Sequence, residues 1–285
     1  MKIIQYMSHN ILLYKLVPLL LNNRFVHEIL YFKIRNRDTN RKEREYEFRK
    51  FCEANAEKLR EVEALLEDNK SKIIFAKILE YRRSGDIKLI KPYVTKPQYW
   101  GDGILKFSGH DIFVDGGAYI GDTILQFLKH ANYNYDKIYA WEPDESNMKM
   151  CKHALRKFSN IQYVPCGMWN SAGILTFKNK AGSASMITDT EDTGNLVCVD
   201  SVDRVCTGGG FMIVKMDIEG AEVEALKGAE KIIRTYKPQL AICIYHKPEH
   251  LYEVVFLLKK FVPEYRLYIR QHEDFWTETV LYAVI

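Results

Sequence analysis

The stretch DIFVDGGAYIGDT, residues 111–123, decides the fold. Its first part is a short apolar run that ends in Asp115, a pattern typical of a buried parallel strand. The two glycines that follow allow a sharp turn and a close approach of a ligand to the backbone. Gly121 then opens a helix whose free amide groups point above the edge of the sheet. The stretch therefore predicts a strand, a ligand-binding turn and a helix.

The sequence on both sides of this stretch continues the alternation of strand and helix. Strands are predicted at 112–115, 137–141, 161–165, 211–216, 239–245, 265–270 and 280–284. Helices are predicted at 121–129, 145–157, 221–234 and 248–261, and a small added hairpin at 174–177 and 196–199. This alternation favours an α/β fold with a Rossmann-like seven-stranded sheet covered on both faces. Only a short connection separates the last two strands, so the last strand is expected to be antiparallel.

The first hundred residues have a helical pattern, and we expect an N-terminal cap or dimerisation region at 1–100 followed by a catalytic domain at 101–285. Apolar residues at helical spacing from Phe48 to Leu66 predict one amphipathic helix. Ser71 is expected to cap the next helix, at 73–83. The apolar face of the helix predicted from Phe48 to Leu66 is expected to pack on its own chain. The alternative is a homodimer that forms through these helices.

A further apolar run, 11–21, contains a lysine and a proline and is too short to cross a bilayer. No transmembrane segment or cleaved signal is therefore expected. The run is expected to pack on its own domain or on a second subunit, and a helix lying on a membrane surface is the alternative.

Composition narrows the class of protein. Hydrophobic residues make up 47% of the 285 residues and charged residues 27%, which is ordinary for a soluble globular chain. The net charge of +4 is small and the catalytic half has no basic stripe, so nucleic acid is not expected as a partner. The six cysteines include no C-x-x-C pair, which argues against a zinc site or a disulfide framework. Reduced thiols in a cytoplasmic protein are expected.

The second predicted strand ends in Glu142 and Pro143, so that a carboxylate stands beside the glycine turn. A carboxylate in this place can accept hydrogen bonds from two ribose hydroxyl groups, and the turn and the acid together predict an adenosine site. An adenine ring would lie near the end of the third strand. The expected cofactor-binding residues are Asp115, Gly116, Gly117, Tyr119, Gly121, Thr123, Glu142, Pro143, Cys166, Gly167, Met168 and Asp217.

The spacing of the glycine turn separates two adenosine cofactors. NAD-binding turns have the form G-x-G-x-x-G, in which the helix N-terminus receives a pyrophosphate. Here the form is D-x-G-x-x-x-G, and Asp115 would repel that anion. A sulfonium cation with an ammonium group tolerates the carboxylate. The sequence therefore favours S-adenosylmethionine over NAD.

Two further segments carry candidate catalytic residues. The fourth strand ends in Asp217, and Glu219 and Glu222 follow it at the ligand-binding edge of the sheet. These acids could hold the ammonium group of the cofactor, bind a cation or orient a hydroxyl group. Glu222, and the neighbouring Glu224, could instead be solvated acids of a first helical turn that match the helix dipole.

The fifth strand is predicted to end at His246, and Pro248 to start the next helix. His246 and His250 are four residues apart, but Pro248 places His246 outside the helix, so a zinc pair is not expected. A histidine above the cofactor is suited to take a proton, and we interpret His246 as the candidate base with Asp217 as the alternative. A histidine with a purely structural role remains open.

The motifs FVDGGAYIGDT, YAWEPD, DSVD, IVKMDIEGAEVEALKGAE, YHKPEHLYEV and ETVLYA occur in this order. Over residues 98–285 the chain resembles the FkbM family of S-adenosylmethionine-dependent methyltransferases. The resemblance implies methyl transfer to oxygen, commonly to a hydroxyl group of a sugar or natural product. It also implies that the turn residues hold the methionine part, that Glu142 binds the ribose, and that Asp217 and Glu219 face the reaction centre. Trp141 stands where relatives often have phenylalanine.

Several alternatives stay open at this point. A divalent metal held by Asp217, Glu219 and His246 could replace the base by lowering the pKa of the acceptor hydroxyl. A catalytically inactive binding module and an NAD-dependent reductase are the rival functions. Aromatic side chains near the predicted cleft could stack on a sugar, although core packing is favoured for them; they are Tyr93, Tyr99, Trp100 and Tyr119.

Overall fold

The computed structural model describes residues 41–178, 186–188 and 195–285. The predicted apolar segment 11–21 lies outside these ranges. The second of the two compact units of the chain runs from Lys50 to Ile285 and contains the sheet. The division expected near residue 100 stays a prediction. No helix among the described residues is long and apolar enough to cross a membrane.

The centre of this unit is a seven-stranded sheet. Its strands are β1 (Asp111–Gly116), β2 (Lys137–Trp141), β3 (Ile161–Val164), β8 (Phe211–Met216), β9 (Gln239–Cys243), β10 (Arg266–Gln271) and β11 (Thr279–Val284). They lie in the order β10-β11-β9-β8-β1-β2-β3, and β11 is antiparallel to both of its neighbours while the other pairs are parallel. The predicted α/β fold, seven strands and antiparallel last strand are confirmed.

Helices precede the sheet and alternate with its strands. They are α1 (Arg41–Ala54), α2 (Ala56–Leu65), α3 (Asn69–Ser84), α4 (Asp122–His130), α5 (Glu145–Ala154), α6 (Val202–Val205), α7 (Glu222–Lys227), α8 (Glu230–Tyr236) and α9 (His250–Phe261). Because helices cover the sheet, its central strands are apolar throughout rather than alternating. Phe113 and Val114 of β1, for example, are completely buried.

A smaller sheet is inserted between β3 and β8. It consists of β4 (Gly167–Met168), β5 (Gly173–Lys178), β6 (Met186–Thr188) and β7 (Asn195–Asp200), in the order β4-β7-β5-β6. The predicted hairpin corresponds to β5 and β7, which pair in antiparallel fashion, and it is confirmed. The other two strands are too short, at two and three residues, to leave a periodic signal in the sequence.

The N-terminal helices differ from the prediction in two respects. The single helix expected from Phe48 to Leu66 is interrupted at Asn55, whose side-chain amide donates a hydrogen bond to the carbonyl of Phe51. Such local side-chain bonds compete with the helical backbone. Ser71 is not the cap of α3, because the carboxylate of Asp68 accepts the hydrogen bond from the Ser71 amide.

Two predicted helix boundaries around the candidate site were also wrong. The helix expected at 221–234 is divided into α7 and α8. The division falls at Gly228, where a Cβ atom would lie 2.0 Å from the carbonyl oxygen of Trp169. Helix α9 begins at His250 rather than at Pro248. Strand β9 ends at Cys243, so His246 lies three residues beyond the strand.

Candidate active site

The glycine turn between β1 and α4 is held against the end of β2. The amides of Gly117 and Ala118 both donate to the carbonyl oxygen of Trp141, at 3.1 and 2.9 Å. Gly117 has a φ of +76°, and a Cβ atom there would lie 2.0 Å from the carbonyl oxygen of Asp217. Only glycine satisfies both conditions. The turn therefore packs directly against the chain that leaves β8.

Glu142 lies beside this turn, as the sequence predicted. Its Oε2 atom accepts a hydrogen bond of 3.0 Å from the amide of Tyr119, and its Oε1 atom accepts one of 2.9 Å from the amide of Asp144. Burial raises the pKa of the Glu142 carboxyl group, and the two amide hydrogen bonds oppose that rise. Each carboxylate oxygen can accept a further bond. The carboxylate is thus fixed in position and can still bind two hydroxyl groups.

Asp115 has a neighbour that the sequence reasoning missed. The carboxylate is completely buried, and its Oδ1 atom lies 3.0 Å from the ammonium nitrogen of Lys215 on β8. Burial raises the pKa of Asp115 to about 6, against the opposing effect of the Lys215 charge. Because this ammonium compensates the carboxylate, Asp115 repels a pyrophosphate less strongly than the sequence alone indicates. Within the described chain, Oδ2 of Asp115 is buried without a hydrogen-bond donor.

Lys215 also contacts the turn itself. Its ammonium group donates hydrogen bonds of 3.0 Å to the carbonyl oxygens of Gly116 and Gly117. Burial by itself would lower the pKa of this lysine, but Asp115 and Asp217 raise it above its ordinary value. A lysine inside the otherwise apolar strand FMIVKM is a signal that the sequence does contain, because a buried ammonium needs partners.

Strand β4, which follows the third strand, reaches the turn through one side chain. Met168 is buried, and its sulfur would lie 2.6 Å from a Cβ atom on Gly116. The structure therefore brings the predicted adenine-side segment to the glycine turn. Thr123 lies in the first turn of α4, and Pro143 follows Glu142 directly.

Cys166, in the same segment, forms a disulfide with Cys198, and their Cα atoms are 4.8 Å apart. The expectation that all cysteines are reduced thiols is therefore wrong for this pair. The two cysteines meet because β4 pairs with β7 and places Gly167 opposite Val199. Cysteine spacing along the chain gives no information on such a pairing. The remaining cysteines within the described ranges are free and buried; they are Cys52, Cys151, Cys206 and Cys243.

Asp217 lies at the centre of a polar cluster at the edge of the sheet. Its Oδ1 atom accepts a hydrogen bond of 2.9 Å from the hydroxyl group of Tyr245, and its Oδ2 atom lies 3.5 Å from the hydroxyl group of Tyr99. The same Tyr245 hydroxyl lies 3.5 Å from Glu278, and burial raises the pKa of Glu278 to about 7. The sequence reasoning missed Glu278, because only the turn between β10 and β11 brings it to the cluster.

His246 completes this cluster. Its side chain is only 4% exposed, and its Nε2 atom lies 3.4 Å from Asp217 and 3.6 Å from Glu219. Its Nδ1 atom lies 2.8 Å from Oε1 of Glu222. Burial lowers the pKa of His246, but Glu222 and the other two carboxylates outweigh burial and raise the pKa above its usual value. The structure thus brings together the three predicted catalytic residues, Asp217, Glu219 and His246.

Glu222 is not the solvated acid that the sequence left open. It is completely buried, accepts a hydrogen bond of 3.0 Å from the amide of Ile218, and lies 3.3 Å from Nδ1 of His250. Burial opposes ionisation, but the two histidines hold the pKa of Glu222 well below its usual range. Glu224, in contrast, lies nearer the surface and pairs with Lys227.

The same cluster has the composition of a metal site. Ligand atoms of Asp217, Glu222 and His246 all lie within 4.8 Å of one another. The predicted set used Glu219 instead of Glu222, and Glu219 is the more exposed of the two acids.

The aromatic residues of the predicted cleft belong mainly to the core. Tyr99 and Trp100 are buried among the apolar residues of the sheet, as the packing interpretation expected. Tyr93 is only partly buried, and Tyr119 is the most exposed of the four, because its side chain is 43% exposed and its backbone has a φ of +47°. It lies within the glycine turn, so an aromatic ring stands at the mouth of the site.

The seven-stranded α/β sheet, the glycine turn, the acid after β2 and the polar cluster around Asp217 are the features that the sequence predicted for an S-adenosylmethionine-dependent methyltransferase. The profile of the methyltransferase FkbM domain matches residues 115–274, which is more than half of the chain. The chain therefore belongs to the FkbM methyltransferase family, whose cofactor is S-adenosylmethionine. No curated protein sequence matches this chain.

One solved structure shows the same fold, and a second has only a weaker similarity. The methyltransferase FkbM from Methylobacillus flagellatus KT is 24% identical and superposes with a TM-score of 0.72 over 81% of this chain. The match spans only 59% of that longer protein. A fibrillarin from Aeropyrum pernix, solved with natively bound S-adenosyl-L-methionine, is 11% identical and covers 62% of this chain and 67% of that one, with a TM-score of 0.39.

Proposed function

We propose that this protein transfers a methyl group from S-adenosylmethionine to a hydroxyl group of a sugar, glycan or other small natural product. Family membership supports the methyl transfer, and the family resemblance favours oxygen as the acceptor atom. The observation that carries the proposal is the packing of the glycine turn against two acids. Glu142 binds the amide of Tyr119, and the Asp217 amide donates to the carbonyl of Gly116 at 3.1 Å.

The residues present fit the cofactor. When bound, S-adenosylmethionine supplies an electrophilic methyl group. Glu142 would accept hydrogen bonds from its ribose hydroxyls, since its carboxylate stands beside the turn and is already oriented by the amides of Tyr119 and Asp144. The buried Oδ2 atom of Asp115 lacks a donor in the described chain, and an ammonium group would satisfy it. The turn residues would enclose the methionine part, and Cys166 to Met168 the adenine.

The cluster around Asp217 would then hold the acceptor. We place His246 as the group that takes the hydroxyl proton at Nε2, because Glu222 fixes the opposite ring nitrogen. Asp217 and Glu219 would orient the hydroxyl group. Proton acceptance by a positioned base contributes about 10² to 10⁴-fold to such reactions. Alignment of the two reactants contributes roughly 7 to 11 kcal/mol.

Two rival functions remain. The family match argues against the NAD-dependent reductase more strongly than the charge of Asp115, which Lys215 compensates. A catalytically inactive binding module would keep the fold and the cofactor site but lack turnover.

A cytoplasmic location also stays a prediction, and the disulfide between Cys166 and Cys198 is a feature more typical of oxidising compartments. Dimerisation through the N-terminal helices stays a prediction as well.

The test is a transfer assay with methyl-labelled S-adenosylmethionine and a panel of sugars, glycans and hydroxylated natural products. We expect label on oxygen of one acceptor class. Label on nitrogen or carbon would contradict the oxygen assignment. Cofactor binding in calorimetry, combined with no transfer to any acceptor of the panel, would favour the inactive binding module.

A further inference from the structure

We propose that Lys215 is a positioning residue for the cofactor: its ammonium group holds the backbone of the glycine turn in its binding conformation. This inference rests on the proposed cofactor site. It assigns to Lys215 a second role that is separate from the compensation of the Asp115 charge. A lysine needed only for charge compensation would not have to touch the turn.

The contacts of the ammonium group carry the inference. A lysine has three N–H donors, and here three oxygens surround its nitrogen at 3.0 Å. One belongs to the side chain of Asp115, and the other two are the carbonyl oxygens of Gly116 and Gly117. The lysine side chain is only 3% exposed, so water does not replace these partners. Both hydrogen bonds of the ammonium group among the described residues therefore go to the turn itself, and the contact with Asp115 is an ion pair.

The turn needs such support because two consecutive glycines have little conformational preference of their own. On one side, the amides of Gly117 and Ala118 are tied to Trp141 at the end of β2. On the other side, the carbonyl oxygen of Gly116 accepts a hydrogen bond from the amide of Asp217. The ammonium group of Lys215 donates further hydrogen bonds to the carbonyl oxygens of Gly116 and Gly117. Hydrogen bonds from a charged donor are roughly twice as strong as neutral ones.

Lys215 also connects the two halves of the site. It lies on β8, two residues before Asp217, whereas the turn follows β1, which pairs with β8 in parallel. A shift of the ammonium group would move the turn relative to Asp217 at the same time. Cofactor and acceptor would then lose their common alignment.

The two roles can be separated by a pair of variants. Lys215→Met alone would leave Asp115 buried without a counter-charge and is expected to unfold the protein. In the double variant Asp115→Asn/Lys215→Met both charges are absent, so relative to Asp115→Asn it loses the lysine charge together with the donors to the two carbonyls. The comparison between these two variants removes Lys215 without leaving an unpaired Asp115 carboxylate, and the exchange of the turn amides reports on the contacts to the turn.

We expect the double variant to bind S-adenosylhomocysteine at least 10-fold more weakly than Asp115→Asn, as measured by calorimetry. Hydrogen exchange of the Gly117 and Ala118 amides is expected to be faster in the double variant, with or without cofactor. Equal affinity and equal exchange in the two variants would overturn the inference. If the double variant does not fold, Asp115→Asn/Lys215→Leu replaces it, with the same expectations, because leucine also lacks a donor.

The proposed cofactor site has its own separate readout in this experiment. Failure of the wild-type protein to bind S-adenosylhomocysteine would contradict the proposed function. The exchange rates of the turn would in that case still decide whether Lys215 holds its backbone.

Discussion

The amide nitrogen of Tyr119 lies 3.0 Å from Oε2 of Glu142, so the glycine turn and the acid at the end of the second strand form one hydrogen-bonded unit. A sharp turn of this kind exposes backbone amides, and one of them is used to orient the carboxylate. The carboxylate is therefore set in place before any ligand arrives, which lowers the entropic cost of binding.

Glu142→Gln is expected to weaken binding of S-adenosylhomocysteine by about 10- to 100-fold, because each hydrogen bond to a charged group contributes about 1.5 to 3 kcal/mol. Calorimetric titration measures the change. Glu145→Gln is the matched control, since Glu145 is exposed on α5 and pairs only with Lys149 among the ion pairs of the described chain. Equal affinities for both variants would show that Glu142 does not bind the ribose.

His246→Ala is expected to lower kcat by about 10² to 10⁴-fold, while the affinity for the cofactor stays within a factor of about three. Steady-state kinetics with an identified acceptor, together with calorimetry, measures both quantities. His110→Ala is the control, because His110 is exposed and contacts Asp136 at 3.1 Å. An unchanged kcat for His246→Ala would place the base elsewhere, with Asp217 as the next candidate.

The pH dependence of the wild-type reaction gives a second test of the same residue. His246 must be neutral to accept a proton, and its carboxylate neighbours raise its pKa above 6.5. We therefore expect kcat/KM to rise with pH through a midpoint above 6.5. In Glu222→Gln the largest of these favourable contacts is lost, so the midpoint should move to lower pH. A midpoint that stays in place would exclude His246 as the titrating group.

The fold could be predicted from the sequence to a large extent, because long buried strands and glycine turns have strong local signals. The interval 211–216 illustrates this, since the predicted and observed strands coincide there. The residues and contacts that form the candidate site could be predicted only in part. Glu142 follows directly from the end of a strand, whereas Glu278 and the Cys166–Cys198 bond depend on pairing between distant segments. Such pairing leaves no periodicity in the chain.

Lys215 shows a different reason for a missed residue. Its position in an apolar strand was visible, but its partners are a side chain and two backbone carbonyls on another strand. Sequence reasoning identified the carboxylate of Asp115 and treated it as uncompensated. In the structure, the ammonium group of Lys215 compensates this charge. The same group also donates hydrogen bonds to the backbone of the turn.

Protein stability between pH 4 and 7 is expected to depend on His272. This histidine is 1% exposed, lies 2.8 Å from the carbonyl of Thr95 through Nδ1, and accepts from the hydroxyl of Tyr282 through Nε2. Burial lowers its pKa to about 4, so the unfolded chain binds the proton more readily. The native state should lose on the order of 3 kcal/mol as the pH falls from 6.5 to about 4. Urea unfolding of the wild type and of His272→Gln measures the difference, and equal pH slopes would contradict it.

Removal of divalent metal ions is expected to leave methyl transfer unchanged, because His246 rather than a metal is proposed to accept the proton. Assays with and without a chelator test this directly. A loss of activity that is restored by one divalent ion would instead assign the cluster of Asp217, Glu222 and His246 to metal binding.

The most direct test of the central claim is a crystal structure of the protein with S-adenosylhomocysteine. We expect both ribose hydroxyl groups within hydrogen-bond distance of Glu142, and the amino group of the ligand at the glycine turn near Asp115. Density for the ligand at another place, or an empty turn in crystals soaked at saturating concentration, would contradict the account.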